Sequence, residues 1–119
     1  MDSREDVQQF MIACDQLEHG YGKQSDLYMN LITEEFQELL RAYLDKNLVG
    51  IADGCADLKW VIEGLENTLR LPKQAVWNEV ARSNLSKIST SGKVLKREDG
   101  KVLKPESYSP PDIKSIVTQ

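Results

Sequence analysis

The sequence predicts an all-α protein in which four helices form a bundle and a short C-terminal β-hairpin arm follows. Apolar residues recur at spacings of three and four over most of the first 85 positions, and this is the period of an amphipathic helix. Gly20, Gly22 and Pro72 interrupt the pattern and separate helices from one another. After residue 88 the helical period ends, and two short β-prone runs take its place.

The first two helices are predicted near residues 4–18 and 26–46. Their apolar faces consist of Val7, Phe10, Met11, Cys14 and Leu17 in the first helix, and of Met29, Ile32, Phe36, Leu39 and Tyr43 in the second. Ser25 is predicted as the N-cap of the second helix, because a serine hydroxyl at that position accepts a hydrogen bond from a free N–H of the first turn.

The third and fourth helices are predicted near residues 48–70 and 72–85, with Pro72 as the first residue of the fourth. The third helix has a regular apolar face made of Ile51, Cys55, Leu58, Ile62, Leu65 and Leu69. A second, neighbouring apolar face surrounds Trp60 and Val61. A helix that is apolar on two faces needs two neighbours, so we expect a homodimer or homotetramer that completes the bundle.

A hairpin arm is predicted after the helices. The sequence GKVLK at residues 92–96 recurs at residues 100–104. Asp99 and Gly100 lie between the two runs, and Asp-Gly between β-prone segments is typical of a hairpin turn. Prolines after the arm indicate an extended tail, and they are Pro105, Pro110 and Pro111.

The length of 119 residues is enough for one domain. We divide it into a helical catalytic bundle at residues 1–88 and a hairpin arm with an extended tail at residues 89–119. No apolar run approaches the roughly 20 residues of a membrane span, and the polar N-terminus has no signal-peptide pattern. Cys14 and Cys55 are isolated in the sequence, which indicates reduced core cysteines of a cytoplasmic protein.

Charge is distributed unevenly along the chain. Residues 1–71 carry 14 acidic and 6 basic side chains, whereas residues 72–119 carry 5 acidic and 9 basic ones. Nucleic-acid binding requires one coherent basic surface, so we expect no nucleic-acid partner. An acidic body with a basic tail instead suits a site that holds cations at one end and anionic phosphates at the other.

Carboxylates collect on the second and third predicted helices. Each helix carries a pair at a spacing of three or four, which puts both members on one face: Glu35 and Glu38, then Asp53 and Asp57. Antiparallel pairing of the helices about Asn47 places Glu38 and Asp57 at about the same height. We therefore expect a cluster of four carboxylates in the groove between the two helices.

The energy of such a cluster indicates a ligand. Two bare charges about 4 Å apart repel by roughly 4 kcal/mol at an effective dielectric constant near 20, while a domain has a net stability of about 5–15 kcal/mol. A divalent cation removes that repulsion, and Mg²⁺ also takes substrate phosphates as ligands. The alternative is a solvated acidic face paired with Arg41 and Lys59, and spacing alone leaves both interpretations open.

Four segments together resemble a known family, the all-α nucleoside triphosphate pyrophosphohydrolases that are MazG-like and related to phosphoribosyl-ATP pyrophosphohydrolase. The segments are LITEEFQELLRAYLDKN, LVGIADGCADLKWVIEGL, VWNEVARSNLSKI and GKVLKREDGKVLKPESYSPPDI. They cover most of the chain from about residue 26 onward. The resemblance depends on the ordered set of motifs, because an ExxE pair alone is common in helices.

The resemblance implies a MazG-like helical bundle, dimeric or tetrameric, that hydrolyses a nucleotide between its α and β phosphates. The products are a nucleoside monophosphate and pyrophosphate, and Mg²⁺ is required, with Mn²⁺ as a substitute. By position, Glu35 and Glu38 match the ExxE of the family and Asp57 matches the aspartate of its second acidic motif. We expect these residues and Asp53 to hold the metal. Glu34 or Glu38 then accepts the proton of the attacking water.

One position departs from the family pattern. The family often has glutamate three residues before the second-motif aspartate, where this chain has Gly54. Asp53 is the natural substitute, because it lies on nearly the same helix face as Asp57. The departure leaves the number of bound metal ions open.

Substrate contacts are also implied by the resemblance. Similar positions place Asn84 and Lys87 at the substrate phosphates. Arg97 and Lys104, on the predicted arm, are expected to close over the polyphosphate. Trp60 lies one turn beyond the second acidic motif, where it either stacks on a nucleobase or packs in a subunit interface.

The sequence therefore predicts a cytoplasmic, Mg²⁺-dependent hydrolase of NTPs and dNTPs that acts in nucleotide-pool house-cleaning. Phosphoribosyl-ATP hydrolysis is the alternative reaction, which the divergent tail after residue 88 disfavours. Gly54 keeps open an alternative of another class, a non-catalytic helical module that binds nucleotides.

Overall fold

The computed structural model describes residues 3–118. It contains five α-helices, which are α1 at Ser3–Ala13, α2 at Lys23–Leu44, α3 at Leu48–Thr68, α4 at Lys73–Leu85 and α5 at Ile113–Val117. The predicted all-α class is confirmed. Among residues 3–118, no helix combines the length and the apolar character that crossing a bilayer requires.

The chain forms two compact units, the first ending at Leu71 and the second beginning at Pro72. The first unit contains α1, α2 and α3, and the second contains α4 and α5. This division coincides with the change from an acidic to a basic stretch of sequence. Helix α4 thus groups with the C-terminal segment, and the catalytic bundle at residues 1–88 stays a prediction.

Helix α1 is shorter than the sequence predicted. It ends at Ala13 rather than near residue 18, because Asp15 takes a left-handed backbone conformation with φ of 57°. The N–H of Gln16 then donates to the carbonyl of Met11 at 2.9 Å, as in a Schellman motif. The ends of α2 and α3 have the same left-handed backbone, at Lys46 and Arg70. The prediction was wrong because it took Gly20 and Gly22 as the residues that end the helix.

The start of α2 also differs from the prediction. The helix begins at Lys23 with Gly22 as its N-cap, so Ser25 is the third helical residue and not the N-cap. The Ser25 hydroxyl accepts a hydrogen bond from the Gly22 N–H at 2.9 Å and donates to the Gly22 carbonyl at 3.0 Å. Ser25 therefore closes the first turn from inside the helix. At the next helix, Asn47 caps α3 by accepting a bond from the Gly50 N–H.

The core of the first unit lies where α1, α2 and α3 meet. Its buried apolar residues are Val7, Met11, Tyr28 and Val61, and partly buried Leu31, Ile32, Leu58 and Leu65 pack around them. Helix α3 also buries Gly54, Gly64 and Thr68. Its packed face is thus rotated from the predicted stripe, and Cys55 and Ile62 of that stripe are exposed. Cys14 and Cys55 are free, as predicted, but neither is a core residue.

Close packing at Gly64 explains this rotation. A Cβ atom added at Gly64 would lie 2.0 Å from Cε1 of Tyr28, so the tyrosine ring lies directly on the glycine backbone. One turn further along α3, the Thr68 hydroxyl donates to the Gly64 carbonyl and accepts from the Gln24 amide, both at 2.8 Å. The hydroxyl of Tyr28 donates to Gln16. Tyr28 can pack on α3 here because residue 64 has no side chain, and not because the position is apolar.

Large apolar side chains of α2 and the α2–α3 turn remain exposed. Phe36 and Tyr43, both in the predicted core stripe, are 53% and 67% exposed. Leu48 and Val49 at the start of α3 are more exposed still. The predicted homodimer or homotetramer would cover such a face, and it stays a prediction.

The second unit lacks the predicted β-hairpin. Within residues 3–118 the repeat forms one isolated antiparallel bridge, between Lys96 and Val102. The ladder does not continue, because Pro105 has no N–H to donate and the carbonyl of Lys93 accepts a bond from the Ser89 N–H at 2.8 Å instead. The hairpin prediction was therefore wrong, although the turn lies where the Asp-Gly pair placed it.

The tail after the turn is hydrogen-bonded to α4. The guanidinium of Arg82 forms a bidentate pair with Glu79 and also donates to the Pro110 carbonyl at 3.1 Å. The Asp112 N–H donates to Glu79 at 2.7 Å. The Arg82 pair and then this N–H lower the pKa of Glu79 to about 2. Pro72 is the N-cap of α4 rather than its first residue.

Substitution of Gly64 by alanine tests the close packing. We expect Gly64→Ala to lower the free energy of unfolding by about 3 kcal/mol or more, since the new methyl group overlaps the Tyr28 ring. Gly54→Ala is the matched control, because its Cβ would meet Leu39 at 3.2 Å. There a shift of a few tenths of an ångström relieves the crowding and the gain in helix propensity partly offsets it, so we expect a smaller loss of stability, about 1 kcal/mol. Urea unfolding of both variants measures the difference, and equal stabilities would contradict the packing described.

Candidate active site

Three carboxylates from α2 and α3 converge on one point. Glu35 and Glu38 lie on α2 and Asp57 lies on α3, and each offers an oxygen that is within 4.8 Å of the oxygens of the other two. Gly54, buried against Leu39, brings the two helix backbones close together beside this point. The predicted antiparallel register therefore does bring the ExxE pair and the second-motif aspartate together.

Glu35 is the most enclosed member of the cluster. Its Oε2 atom is shielded from solvent, and no amide, hydroxyl or cationic group of residues 3–118 donates a hydrogen bond to it. Buried polar atoms are nearly always hydrogen-bonded, so an unpartnered carboxylate oxygen makes this cluster a candidate cation site. The geometry and chemistry of the donor set fit a divalent cation, because Mg²⁺ prefers oxygen ligands.

The cluster is electrostatically strained without such a cation. Burial is the largest cause that raises the pKa of Glu35, followed by the charges of Glu38 and Asp57 and a hydrogen bond with Glu38. Burial also raises the pKa of Asp57, together with the charge of Asp53 and a hydrogen bond with it. Each shift means that the protein disfavours the ionised carboxylate at that position. A bound cation reverses this preference by favouring the ionised form.

The alternative interpretation of the acidic face required basic partners. Within the part of the chain that the structure describes, neither Arg41 nor Lys59 forms an ion pair with these carboxylates. Arg41 and Lys59 therefore do not neutralise the negative charge of the cluster. This observation favours the metal interpretation over the solvated acidic face.

Asp53 and Gly54 clarify the departure from the family pattern. Asp53 is exposed and lies beside Asp57, where it raises the pKa of that residue, but it is outside the group of three. A Cβ at Gly54 would lie 3.2 Å from the Cα of Leu39. A glutamate at position 54 would therefore push the helices apart. The close packing of α2 on α3 accounts for glycine here, and Asp53 supplies a carboxylate at the margin instead.

Glu34 and Trp60 lie beside the cluster in the sequence and are exposed. Trp60 packs edge-to-face on Phe10 of α1, with ring centroids 5.6 Å apart and an interplanar angle of 78°. Phe10 was predicted as a core residue, but it is 50% exposed. The sequence analysis did not predict this aromatic pair. Phe10 was assigned to the apolar face of the first helix, and periodicity does not show that it contacts Trp60.

The second unit contains the other predicted substrate residues. The ammonium group of Lys87 donates to the Asn84 side-chain carbonyl at 2.9 Å. Lys87 and Lys104 both lie over the ring of Tyr108, a residue that sequence reasoning missed. Arg97 forms a bidentate pair with its neighbour Asp99. The structure thus brings Asn84, Lys87 and Lys104 together, whereas Arg97 pairs elsewhere.

Comparison with known proteins places the chain in a family. The family model of phosphoribosyl-ATP pyrophosphohydrolase, PRA-PH, matches residues 7–84, which is more than half of the chain. The match includes all three carboxylates of the cluster and ends at Asn84. A comparison with curated proteins found no match. The chain therefore belongs to the PRA-PH family, which indicates that it is a nucleotide pyrophosphohydrolase.

Proposed function

We propose that the protein is a Mg²⁺-dependent pyrophosphohydrolase of NTPs and dNTPs that acts in cytoplasmic nucleotide-pool house-cleaning. It cleaves between the α and β phosphates and releases a nucleoside monophosphate and pyrophosphate. The observation that carries the proposal is the unpartnered, shielded Oε2 of Glu35 within a cluster of three carboxylates. Membership of a pyrophosphohydrolase family supports the type of reaction.

Glu35, Glu38 and Asp57 are the proposed metal ligands, with Asp53 beside them at the margin. When bound, Mg²⁺ or its substitute Mn²⁺ supplies charge neutralisation and Lewis acidity to the substrate phosphates. The three carboxylates are negatively charged, so without a cation they repel the phosphates of a nucleotide. This arrangement couples binding of the nucleotide to binding of the cation.

A carboxylate is also proposed to accept the proton of the attacking water. Glu34 and Glu38 are the two candidates, as the sequence analysis indicated. Both side chains are exposed, but Glu38 is one of the three converging residues and Glu34 is not. Loss of the base lowers the rate by about 10²–10⁴-fold, so the kinetics of Glu34→Gln decide whether Glu34 has this role.

The aromatic pair and the second unit supply the remaining proposed contacts. Trp60 presents an aromatic surface for a nucleobase, and Phe10 holds its ring from the side. We assign Asn84, Lys87 and Lys104 to the substrate phosphates, on the basis of the family resemblance and of their cation and amide chemistry. Arg97 is also assigned to the phosphates, which requires it to leave Asp99.

Phosphoribosyl-ATP is the second candidate substrate, and the name of the matching family favours it. The match ends at Asn84, however, so the tail that carries Arg97 and Lys104 lies outside the family model. The family match therefore does not choose between phosphoribosyl-ATP and an NTP or dNTP. A non-catalytic nucleotide-binding module is the candidate of another class. The only support for this module was the glycine at position 54, and the close packing of Gly54 on Leu39 accounts for a glycine there.

A homodimer or homotetramer is part of the proposal. The exposed apolar residues of α2 and the α2–α3 turn support it, since a soluble monomer rarely leaves a wide apolar face uncovered. Sedimentation equilibrium measures the mass directly, and a monomer at micromolar concentration would contradict this part of the proposal.

Product analysis tests the reaction. We expect each hydrolysed NTP or dNTP to yield a nucleoside monophosphate and pyrophosphate in Mg²⁺, and no product in EDTA. Anion-exchange chromatography of the products makes this measurement. Phosphoribosyl-ATP serves as the comparison substrate. Release of orthophosphate would contradict cleavage between the α and β phosphates, and turnover of phosphoribosyl-ATP alone would support the second candidate.

Removal of single charges tests the metal ligands. We expect Glu38→Gln and Asp57→Asn each to lower kcat/KM by about 100-fold or more, because each change removes a ligand oxygen charge from the cluster. Asp26→Asn is the control, since this exposed carboxylate lies on α2 outside the cluster. Wild-type activity in a folded Glu38→Gln or Asp57→Asn protein would overturn the assignment.

The pH dependence of stability tests whether the carboxylate cluster destabilises the fold when it is ionised. Because the pKa values of Glu35 and Asp57 are raised in the folded state, their contribution to stability is greatest below the ordinary carboxyl pKa. It is lost as the pH rises through the raised values. In EDTA we therefore expect Glu35→Gln to raise Tm at pH 7.5 and to weaken the fall of Tm between pH 5 and 7.5.

Mg²⁺ is expected to raise the Tm of the wild type at pH 7.5 and to leave that of Glu35→Gln almost unchanged. Glu34→Gln is the control, and it should respond to Mg²⁺ as the wild type does. An equal rise of Tm in wild type and Glu35→Gln would show that the cation binds elsewhere.

A further inference from the structure

Two lysine ammonium groups of the second unit lie against one aromatic ring. The Nζ atom of Lys104 is 5.1 Å from the centroid of the Tyr108 ring, and that of Lys87 is 5.7 Å from it. Both distances are within the range of a cation–π interaction. The residues come from different parts of the unit, since Lys87 follows α4 while Lys104 and Tyr108 belong to the C-terminal segment.

The position of Tyr108 is fixed by its neighbours in the chain. The Ser107 hydroxyl donates to the Ser86 carbonyl at 2.8 Å, and the Ser109 N–H donates to the Ser86 hydroxyl at 2.8 Å. The Tyr108 N–H closes a tight turn by donating to the Pro105 carbonyl at 3.0 Å. The residues on both sides of Tyr108 are thus bonded to the C-cap of α4, which fixes the ring beside Lys87.

The charges of these lysines are not neutralised. Among residues 3–118, no carboxylate forms an ion pair with Lys87 or Lys104. An aromatic ring attracts ammonium groups through its quadrupole without carrying a net negative charge. Tyr108 therefore holds both ammonium groups within 5.7 Å of its ring centroid and leaves their positive charge available to an anion. The contrast with Arg97 is direct, since the carboxylate of Asp99 neutralises that cation.

We propose that Tyr108 is a positioning residue of the second unit, whose ring holds the ammonium groups of Lys87 and Lys104, the two lysines already assigned to the substrate phosphates. The two ammonium groups bind phosphate oxygens, and the Asn84 amide orients Lys87. Their ligand class is a diphosphate or triphosphate chain, as in inorganic pyrophosphate or the tail of a nucleotide. The choice of ligand rests on the proposed function, whereas the arrangement of the three side chains does not.

Binding of inorganic pyrophosphate to the full-length protein tests this role of Tyr108. The titration is calorimetric and contains EDTA, so that the carboxylate cluster cannot contribute through a metal. We expect Tyr108→Leu to weaken the affinity by about 10-fold, because two cation–π contacts are lost. Tyr108→Phe keeps the ring and should bind as the wild type does. Lys101→Gln, a change at an exposed lysine of the same segment, is the control for net charge.

Kinetics separate positioning from a merely structural role. We expect Tyr108→Leu to raise KM for the nucleotide about 10-fold with kcat within about twofold of wild type, and Tyr108→Phe to restore KM. If Tyr108→Leu is poorly folded, the ring proton resonances of Tyr108 in the wild type provide a second readout. They should shift on titration with pyrophosphate, and this shift should be absent in Lys87→Gln/Lys104→Gln.

Two results would overturn the inference. One is wild-type affinity for pyrophosphate in folded Tyr108→Leu, and the other is unshifted Tyr108 resonances in the wild type. Failure of the proposed function is recognised separately, because pyrophosphate binding in EDTA needs no turnover. A protein that binds pyrophosphate with the help of Tyr108 but hydrolyses no nucleotide would keep this role of Tyr108 and refute the pyrophosphohydrolase proposal.

Discussion

The contact of α3 with α2 at two buried glycines is the constraint on which the first unit depends. At Gly64 the Tyr28 ring lies on the helix backbone, and at Gly54 the backbone of α3 lies close to Leu39. These contacts fix how the two helices are rotated and how far apart they lie. Because Asp57 is one turn from Gly54, the same close approach carries its carboxylate toward Glu35 and Glu38. The close approach of α2 and α3 therefore determines both the packing and the site geometry, and glycine at position 54 permits that approach.

The cluster is in turn a source of strain that the fold tolerates. Burial and mutual repulsion raise the pKa values of Glu35 and Asp57, and one oxygen of Glu35 has no donor among the described residues. Strain of this kind is typical of functional sites, where groups are positioned for a ligand rather than for stability. The second unit shows the opposite arrangement, since Tyr108 gathers two ammonium groups that form an ion pair with no carboxylate of the described residues.

Helical periodicity and carboxylate spacing were enough to predict the all-α class, the first four helices and the convergence of Glu35, Glu38 and Asp57, whereas Asp53, the fourth expected member, lies outside the group. Other features depend on contacts that leave no periodic signal. The end of α1 is set by a left-handed Asp15, and the packed face of α3 is set by the small size of Gly64 rather than by its apolar stripe. The hairpin stops at one bridge because Pro105 has no N–H to donate, which the sequence already shows, and because the Lys93 carbonyl accepts a bond from the Ser89 N–H, which the Asp-Gly turn signal does not include. Tyr108 was missed because two lysines distant in sequence meet only on its ring.

The central claim is that the three carboxylates bind a divalent cation, and anomalous diffraction from crystals soaked in Mn²⁺ tests it most directly. The account predicts an anomalous difference peak between Glu35, Glu38 and Asp57, within coordination distance of the Glu35 Oε2 atom. Asp53 would lie at the margin of that peak or contact it through water. A Glu35 side chain paired with a lysine or arginine, with no anomalous peak at the cluster, would contradict the account.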